Sequence, residues 1–472
     1  MHRRTSAQLW GKRGARGALV AGIAAGACCL PASALAAPAS AGLAGAVSPV
    51  PASGTPTLVN TGTTEQIRQL VQCGGTMYAV GTFTQIKQGT TPYARNNAFS
   101  FGATAPYTVT SWDPNVNGTV DSIAFDGSDC SHAYLGGQFT TVGGAAAKNI
   151  AEVDTNLGAL VPAFKSNASG EVDTLVVSNG HLLAGGAFKG INGSTADPYF
   201  ASLSPATGQD DGFVHLSISG HYVYPGVLSN PTKVYNQQLS HSGTLDLVEG
   251  DFTSVGGLGR QQIFMLNVSG ASATVTGWSS PEFDGSKGNL PNGYAYQCSV
   301  KEAFYIRAAA WSPDGSTVYT AATGFHPWNL SSSGPRTGLC DSVAAFSSGQ
   351  SEQLHKWINY TGCDSLYSVA ADSSAVYIGG HERWANNSNG CNHPGTGAVP
   401  APGLGAFTPG ASGGTLMENS THTAGLYSRS RGNGADDLLL TSAGLWVASD
   451  NFGGNTSCGG QPGFSGICFL PY

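Results

Sequence analysis

Six residues, Arg68, Asp121, Asp173, Arg307, Tyr367 and Asp436, hold one equivalent place in a short strand that returns along the chain, with Gln237 the nearest counterpart in the copy that aligns least cleanly. Acids, bases and a phenol around one opening have two physical outcomes: a site for a polar ligand, or a closed circle of ion pairs that stabilises the structure and binds nothing. The three aspartates also supply the side chains of a glycosidase, whose two carboxyl groups stand about 5 to 9 Å apart. Spacing along the chain does not fix that distance. A second group, His326, Trp328, His381, Arg383, Trp384 and His393, places aromatic and basic side chains in long connecting segments. Indoles beside polar groups suit sugar faces or peptide segments; equally, each Trp can pack its own loop down onto a sheet.

Other chemistries lack their residues. Neither a GxSxG elbow nor an HExxH zinc helix occurs. A copper site built on a Tyr-Cys pair conflicts with the better use of the cysteines as bridges. Ser312-Pro313-Asp314-Gly315-Ser316 occurs once, with its Gly directly after the Asp, and reads as a hairpin turn rather than a sialidase Asp box. Gly136-Gly137 and Gly143-Gly144 end strands with no Lys and no helix after them, so they are not a phosphate loop. Their missing side chains permit close sheet packing and a left-handed turn. No cofactor and no metal is expected. Asn117, Asn167 and Asn267 begin Asn-x-Ser/Thr triplets, relevant only where the exporting cell glycosylates them.

The elements that must carry these residues repeat. A strand ending in small residues and then Phe recurs as TMYAVGTFTQI (76 to 86), HAYLGGQFTTVGG (132 to 144), HLLAGGAFKGING (181 to 193) and LDLVEGDFTSVGG (245 to 257), with looser copies at 317 to 326, 375 to 384 and 444 to 454. Before most copies runs another strand, as in TVDSIAF (119 to 125), and behind each a third, as in NIAEVD (149 to 154). A fourth, ending near Trp112, Phe164, Phe213, Trp278 and Trp357, completes most units. Four antiparallel strands per unit make a propeller blade, so the expected fold is all-β: a seven-bladed β-propeller. The last unit stops after its third strand, and the strand TLVNTG (57 to 62) has no obvious partner in the first unit. It is expected to supply the missing strand and close the ring over an otherwise open edge.

Residues 1–36 are basic, then apolar, then small at Ala34-Leu35-Ala36, the pattern of a cleaved secretory signal. The residues before Cys28 lack the large aliphatic side chain of a lipobox. Residues 37–56, rich in Ala, Pro, Ser and Gly, read as a flexible leader, and 57–472 as a single domain. Beyond the signal there are 16 Lys and Arg against 28 Asp and Glu, a balance of −12 that argues against nucleic acid or an anionic membrane as partner. No later stretch is long and apolar enough to span a bilayer as a helix.

Eight cysteines remain, an even number that in an exported chain reads as disulfides. There is no CxxC pair to suggest zinc. The segments between second and third strands are long at 325 to 341, 382 to 402 and 453 to 466, on what propeller convention calls the top face, and the cysteines fall in step with them. The expected pairs are Cys298 with Cys340, Cys363 with Cys391 and Cys458 with Cys468, each tying down a top loop. Cys73 and Cys130, at matching first hairpins of neighbouring units, should pair on the opposite face.

The run LGGQFTTVGG, followed by NIAEVD and Leu160-Val161-Pro162-Ala163-Phe164, resembles the delta-60 repeat of bacterial secreted propellers. The likeness is close at 132 to 164, good at 181 to 213 and 245 to 268, and loose in the last three units; RGNGADDLLLTSAGLWVASD (431 to 450) is also similar to the closing blade of such proteins. The resemblance implies a kelch-like fold and no set of catalytic residues. Expected, then, is a secreted, monomeric, non-catalytic module that engages a glycan or a protein through the top face of blades five to seven. The alternative is a secreted carbohydrate-active enzyme, a hydrolase or lyase using the acids at the channel mouth.

Overall fold

The computed structural model describes residues 46–63, 65–221, 231–284, 298, 304–324, 338–417, 434–451, 457–459 and 461–472. Among them there is no α-helix, and the strands pair antiparallel throughout the named sheets. Of the twelve sheets among the described residues, seven follow one another along the chain, here numbered one to seven, each opening with an inner strand: Gln66–Cys73, Thr119–Asp126, Val172–Ser178, Lys233–Leu239, Ile306–Trp311, Leu366–Ala371 and Ala435–Thr441. The other five are short outer hairpins beside them. A second and a third strand follow in each, as in Asp129–Gln138 and Ile150–Asp154 of sheet two.

Hydrophobic residues lie on both faces of these sheets because each face meets a neighbour. Six buried clusters among the described residues fall at the junctions between consecutive sheets: Val80 and Phe139 belong to the one between sheets one and two, Trp278 and Trp311 to the one between four and five. Sheet seven also packs against sheet one, through a cluster that holds Trp446 and Phe469 with Ile67, Met77 and Phe101. The inner strand Ala435–Thr441 lies against Gln66–Cys73, Asp437 Oδ2 accepts a hydrogen bond from Leu70 N at 2.9 Å, and Asn451 N donates to Glu65 O at 2.8 Å. Antiparallel sheets packed face to face in chain order, with their first strands innermost, constitute a β-propeller.

Tryptophans pin sheet to sheet. Trp112 Nε1 donates to Asp154 O in sheet two, Trp278 Nε1 to Ser347 O in sheet five and Trp357 Nε1 to Gly410 O beyond the third strand of sheet six. Each indole thus buries a large apolar area and still satisfies its one donor.

Two expectations about strands change. Among the described residues only sheets four and five carry a regular fourth strand, Thr274–Val275 and Trp357–Tyr360. In sheets one, two, three and six that strand shrinks to a single bridge, as between Val153 and Leu160. In sheet two the chain turns immediately after the third strand, where Asp154 Oδ1 takes the backbone N–H groups of Asn156 and Leu157, leaving little length to pair.

The strand expected at 57 to 62 has a first-unit partner after all: Thr57–Leu58 pairs with Gln85–Gln88. It is the counterpart of Val116, Ala168 and Ile218–Ser219, which pair in the same way with the outer hairpins of sheets two to four. The chain beside the third strand of sheet seven is earlier, with Ser48 N donating to Pro471 O at 2.7 Å and Ala52 N to Phe469 O at 2.9 Å. Val47 is buried in the cluster between sheets six and seven. The segment read as a flexible leader is therefore built into the structure from residue 46 onward, because an unpaired outer strand exposes a row of backbone groups that another strand satisfies.

The disulfides are Cys73–Cys130, Cys298–Cys340, Cys363–Cys391 and Cys458–Cys468, the four pairs expected. Four bridges are consistent with an oxidising, extracellular location.

Candidate functional site

Every inner strand contains one β-bulge near its start, between Ile67 and Gln69, Val120 and Ser122, Val172 and Thr174, Val234 and Asn236, Ile306 and Ala308, Leu366 and Ser368, and Ala435 and Asp437. An extra residue at a bulge is released from the ladder and its side chain is re-aimed. The released residues are Arg68, Asp121, Asp173, Tyr235, Arg307, Tyr367 and Asp436, and all seven line one cavity of about 340 Å³. The glycines of the repeat belong to this device. A Cβ on Gly137 would stand 2.2 Å from Thr119 O of the bulged inner strand, and Gly81, Gly186, Gly250 and Gly380 occupy the same place in their sheets.

The six ring residues read from sequence are thus brought together. Gln237 is not among them: its buried side chain donates to Thr174 Oγ1 and Leu183 O at 3.4 Å. Its place is taken by Tyr235, the one residue that the bulge between Val234 and Asn236 leaves unpaired, two positions earlier in the strand. Aligning Val234-Tyr235-Asn236 with Val120-Asp121-Ser122 is the signal that finds it. Lys233 and Glu171, also on the cavity wall, were not foreseen.

Behind the ring, the residue after the bulge laces neighbouring strands together in sheets one, two, six and seven. Gln69 Oε1 accepts from Ile123 N at 2.7 Å, Ser122 Oγ from Leu175 N at 3.0 Å, and Asp437 from Leu70 N as above, while Ser368 Oγ donates to Ala435 O at 2.9 Å. These bonds join sheets one to two, two to three, six to seven and seven to one, behind the side chains that face the cavity.

Charge in the cavity is unevenly spent. Arg68 Nε stands 3.3 Å from Asp121 Oδ1, and Lys233 Nζ lies 2.6 Å from Asp173 Oδ1 and 3.3 Å from Glu171 Oε2. The Arg307 guanidinium lies 4.8 Å from the Tyr235 ring centre and 5.8 Å from that of Tyr367, and makes no ion pair among the described residues. Asp121 Oδ2, Asp173 Oδ2, Asp436 Oδ2 and Arg307 Nε are buried without a hydrogen-bond partner among the described residues. Burial raises the carboxyl of Asp121 to about 7, against the opposing pull of Arg68, and that of Asp173 to about 6, against Lys233. Asp436 is raised to about 7 by burial, opposed by a hydrogen bond to the Gln66 side chain. Uncompensated desolvation of a carboxylate is the common cause.

The second candidate group behaves otherwise. His326 and Trp328 lie outside the described residues. Arg383 closes on the buried Asp364, with Nε to Oδ2 at 2.7 Å and Nη2 to Oδ1 at 2.6 Å, and its guanidinium lies 4.4 Å from the centre of the Trp384 ring. Trp384 is half-buried in a short ribbon that pairs it with Pro400. His393 is exposed on the same loop, and its carbonyl accepts from Asn387 Nδ2. His381 leaves this group and joins the ring: its Nδ1 is 3.0 Å from Tyr367 Oη, with the two rings edge to face. Among the described residues no group of His, Cys, Asp and Glu is arranged to hold a metal ion, and no helix is long and apolar enough to cross a membrane.

No family model and no curated protein matches the chain. Among solved structures it is similar to "Structure of U3-55K", at 10% identity and TM-score 0.48 over 90% of this chain and 100% of that one. It is also similar to "Crystal structure of RRP9 WD40 repeats", at 10% identity and TM-score 0.47 over 89% and 98%. A third is "Crystal structure of WD40 beta propeller domain of Doa1", at 9% identity and TM-score 0.40 over 88% and 96%.

Proposed function

We propose that this chain is an exported, non-catalytic binding protein: a seven-bladed propeller of delta-60-type repeats, freed of residues 1–36, closed where sheet seven meets sheet one and sealed there by the chain around residues 48 to 52. It engages an extracellular glycan or protein segment at the mouth of the central cavity, with the loops of blades five to seven as the rim. The observation that carries this is the set of buried, unpartnered polar atoms on Asp121, Asp173, Asp436 and Arg307. A buried polar atom without a partner costs about 1–3 kcal/mol, and three carboxylates in a closed ion-pair circle would not leave that cost standing. A ligand that supplies donors repays it.

The test is retention of purified residues 37–472 on arrays of glycans, cell-wall polymers and peptides. The native chain binds a defined subset, Arg307→Ala and Asp436→Asn lose it, and Trp384→Ala keeps it. Binding that survives the first two variants and is lost in the third moves the site to the blade-six loop.

One observation favours the enzymatic alternative. Asp121 and Asp436 hold their protons to about 7, as a glycosidase general acid must. Release of soluble sugars from a retained polymer, abolished in Asp436→Asn, would establish it over the binding reading.

A further inference from the structure

Five carboxylates line the cavity, those of Asp121, Glu171, Asp173, Asp436 and Asp437, against three cations. Arg68 and Lys233 are already engaged with Asp121, Asp173 and Glu171, and Arg307 lies over the two tyrosine rings. Fully ionised, the wall carries an excess of two negative charges, and on three of the five side chains, Asp121, Asp173 and Asp436, Oδ2 is buried and unpartnered among the described residues. A carboxylate oxygen only accepts hydrogen bonds, so its partner must be a donor. The group that donates three times, accepts nothing and carries the compensating charge is a primary ammonium.

The rest of the ligand follows from the walls. They are chiefly polar, which disfavours the aliphatic stem of a lysine side chain, since such stems lie along apolar surface. With Arg307 over both Tyr235 and Tyr367, neither ring is a bare platform for stacking, and recognition falls to hydrogen bonds. Arg307 Nε–H, itself unpartnered, calls for an acceptor such as a hydroxyl or ring oxygen. A cavity of about 340 Å³ is at the small end for ligand pockets and holds a short segment rather than a bulky chain. We infer that the cavity binds an unacetylated amino-sugar residue, its ammonium among Asp121, Asp173 and Asp436 and its oxygens toward Arg307; this rests on the binding function proposed above.

The probe is a tetramer of β-1,4-linked glucosamine, titrated calorimetrically into residues 37–472 beside the fully N-acetylated tetramer and a trilysine peptide. The glucosamine tetramer is expected to bind at least tenfold more tightly than either. Asp436→Asn and Asp173→Asn should each weaken it at least tenfold while melting cooperatively; Asp121→Asn is the reserve variant. Equal affinity for the two tetramers overturns the ammonium assignment and leaves glycan binding standing. Tighter binding of trilysine overturns the sugar. Affinity unchanged in the Asp variants puts the ligand elsewhere and overturns the inference. If no tetramer binds although the arrays retain the chain in an Arg307-dependent way, this inference alone fails; if the arrays are also blank, the functional reading fails with it.

Discussion

The ring of bulge residues and the Arg383–Asp364 pair on the stapled loop of sheet six both set charge beside aromatic rings, yet the pair is matched where the ring is not; Glu382, next to Arg383, also keeps both carboxyl oxygens buried without a partner among the described residues. On the loop, Arg383 meets Asp364 through two short bonds and the Cys363–Cys391 bridge holds the segment in place. In the ring, Asp121, Asp173 and Asp436 each keep a buried oxygen without a partner, and Arg307 keeps Nε without one and makes no ion pair among the described residues. A charge pair that satisfies itself is an element of stability. A group of charges braced by hydrogen bonds between neighbouring strands while its own atoms go unmatched is an element of recognition.

The strongest way to break this contrast is to cut the loop's staple. Replacing Cys363 and Cys391 by Ser frees a loop whose ends are 28 residues apart and should cost about 3–4 kcal/mol in chemical denaturation. Ring-dependent retention should survive under native conditions. Asp364→Ala leaves Arg383 facing a vacated, buried site and should cost about 3 kcal/mol, at the low end for a broken buried pair because the Arg383 side chain is 33% exposed.

Asp436→Asn should act in the opposite sense. The folded chain holds the Asp436 proton to about pH 7, whereas the unfolded chain releases it near the ordinary carboxylate value of about 3.9. The penalty is therefore absent below that lower value, grows as pH rises between the two, and is complete above the folded one. The variant, with no proton to hold, should be more stable than the parent by about 2–4 kcal/mol at pH 8 and no more stable at pH 4. Melts across that range would read the difference; a parent as stable at pH 8 as at pH 4 would show the carboxylate compensated and the contrast false. Tyr367→Phe removes the hydrogen bond to His381 that joins the two regions and should cost about 1 kcal/mol. Trp384→Ala strips one half-buried indole that stacks on an already satisfied arginine; a loss under about 1 kcal/mol, with retention intact, keeps the loop out of the site.

Much of the architecture was legible because it is local. Alternating apolar strands, Gly-Gly ends and Val-Gly-Gly turns announce an antiparallel unit, and its recurrence announces sheets packed in series. The cysteine pairs followed from their phase in the repeat. The ring was legible in six places for the same reason, and failed in sheet four because the inner strand Lys233–Leu239, KVYNQQL, has few apolar residues to fix its alignment with the other copies. The outer strands were overread: a periodic apolar residue such as Phe164 or Phe213 marks a buried position, and in sheets two and three it sits beyond a one-pair bridge. The pairing of residues 48 and 52 with sheet seven was illegible, because a Pro- and Ala-rich segment has no period and gains its order only from the exposed edge it covers.

By itself, then, the sequence determined the all-β class, the recurrence of one antiparallel unit, the cysteine pairing and the position in most units from which a side chain leaves the ladder, since all of these follow from periodicity within a few tens of residues. Tertiary structure alone decided which of those side chains remain unmatched. Whether Asp436 meets a cation, whether Arg383 finds Asp364, and whether His381 turns to Tyr367 depend on distances between segments remote in the chain, and burial then fixes what an unmatched charge costs.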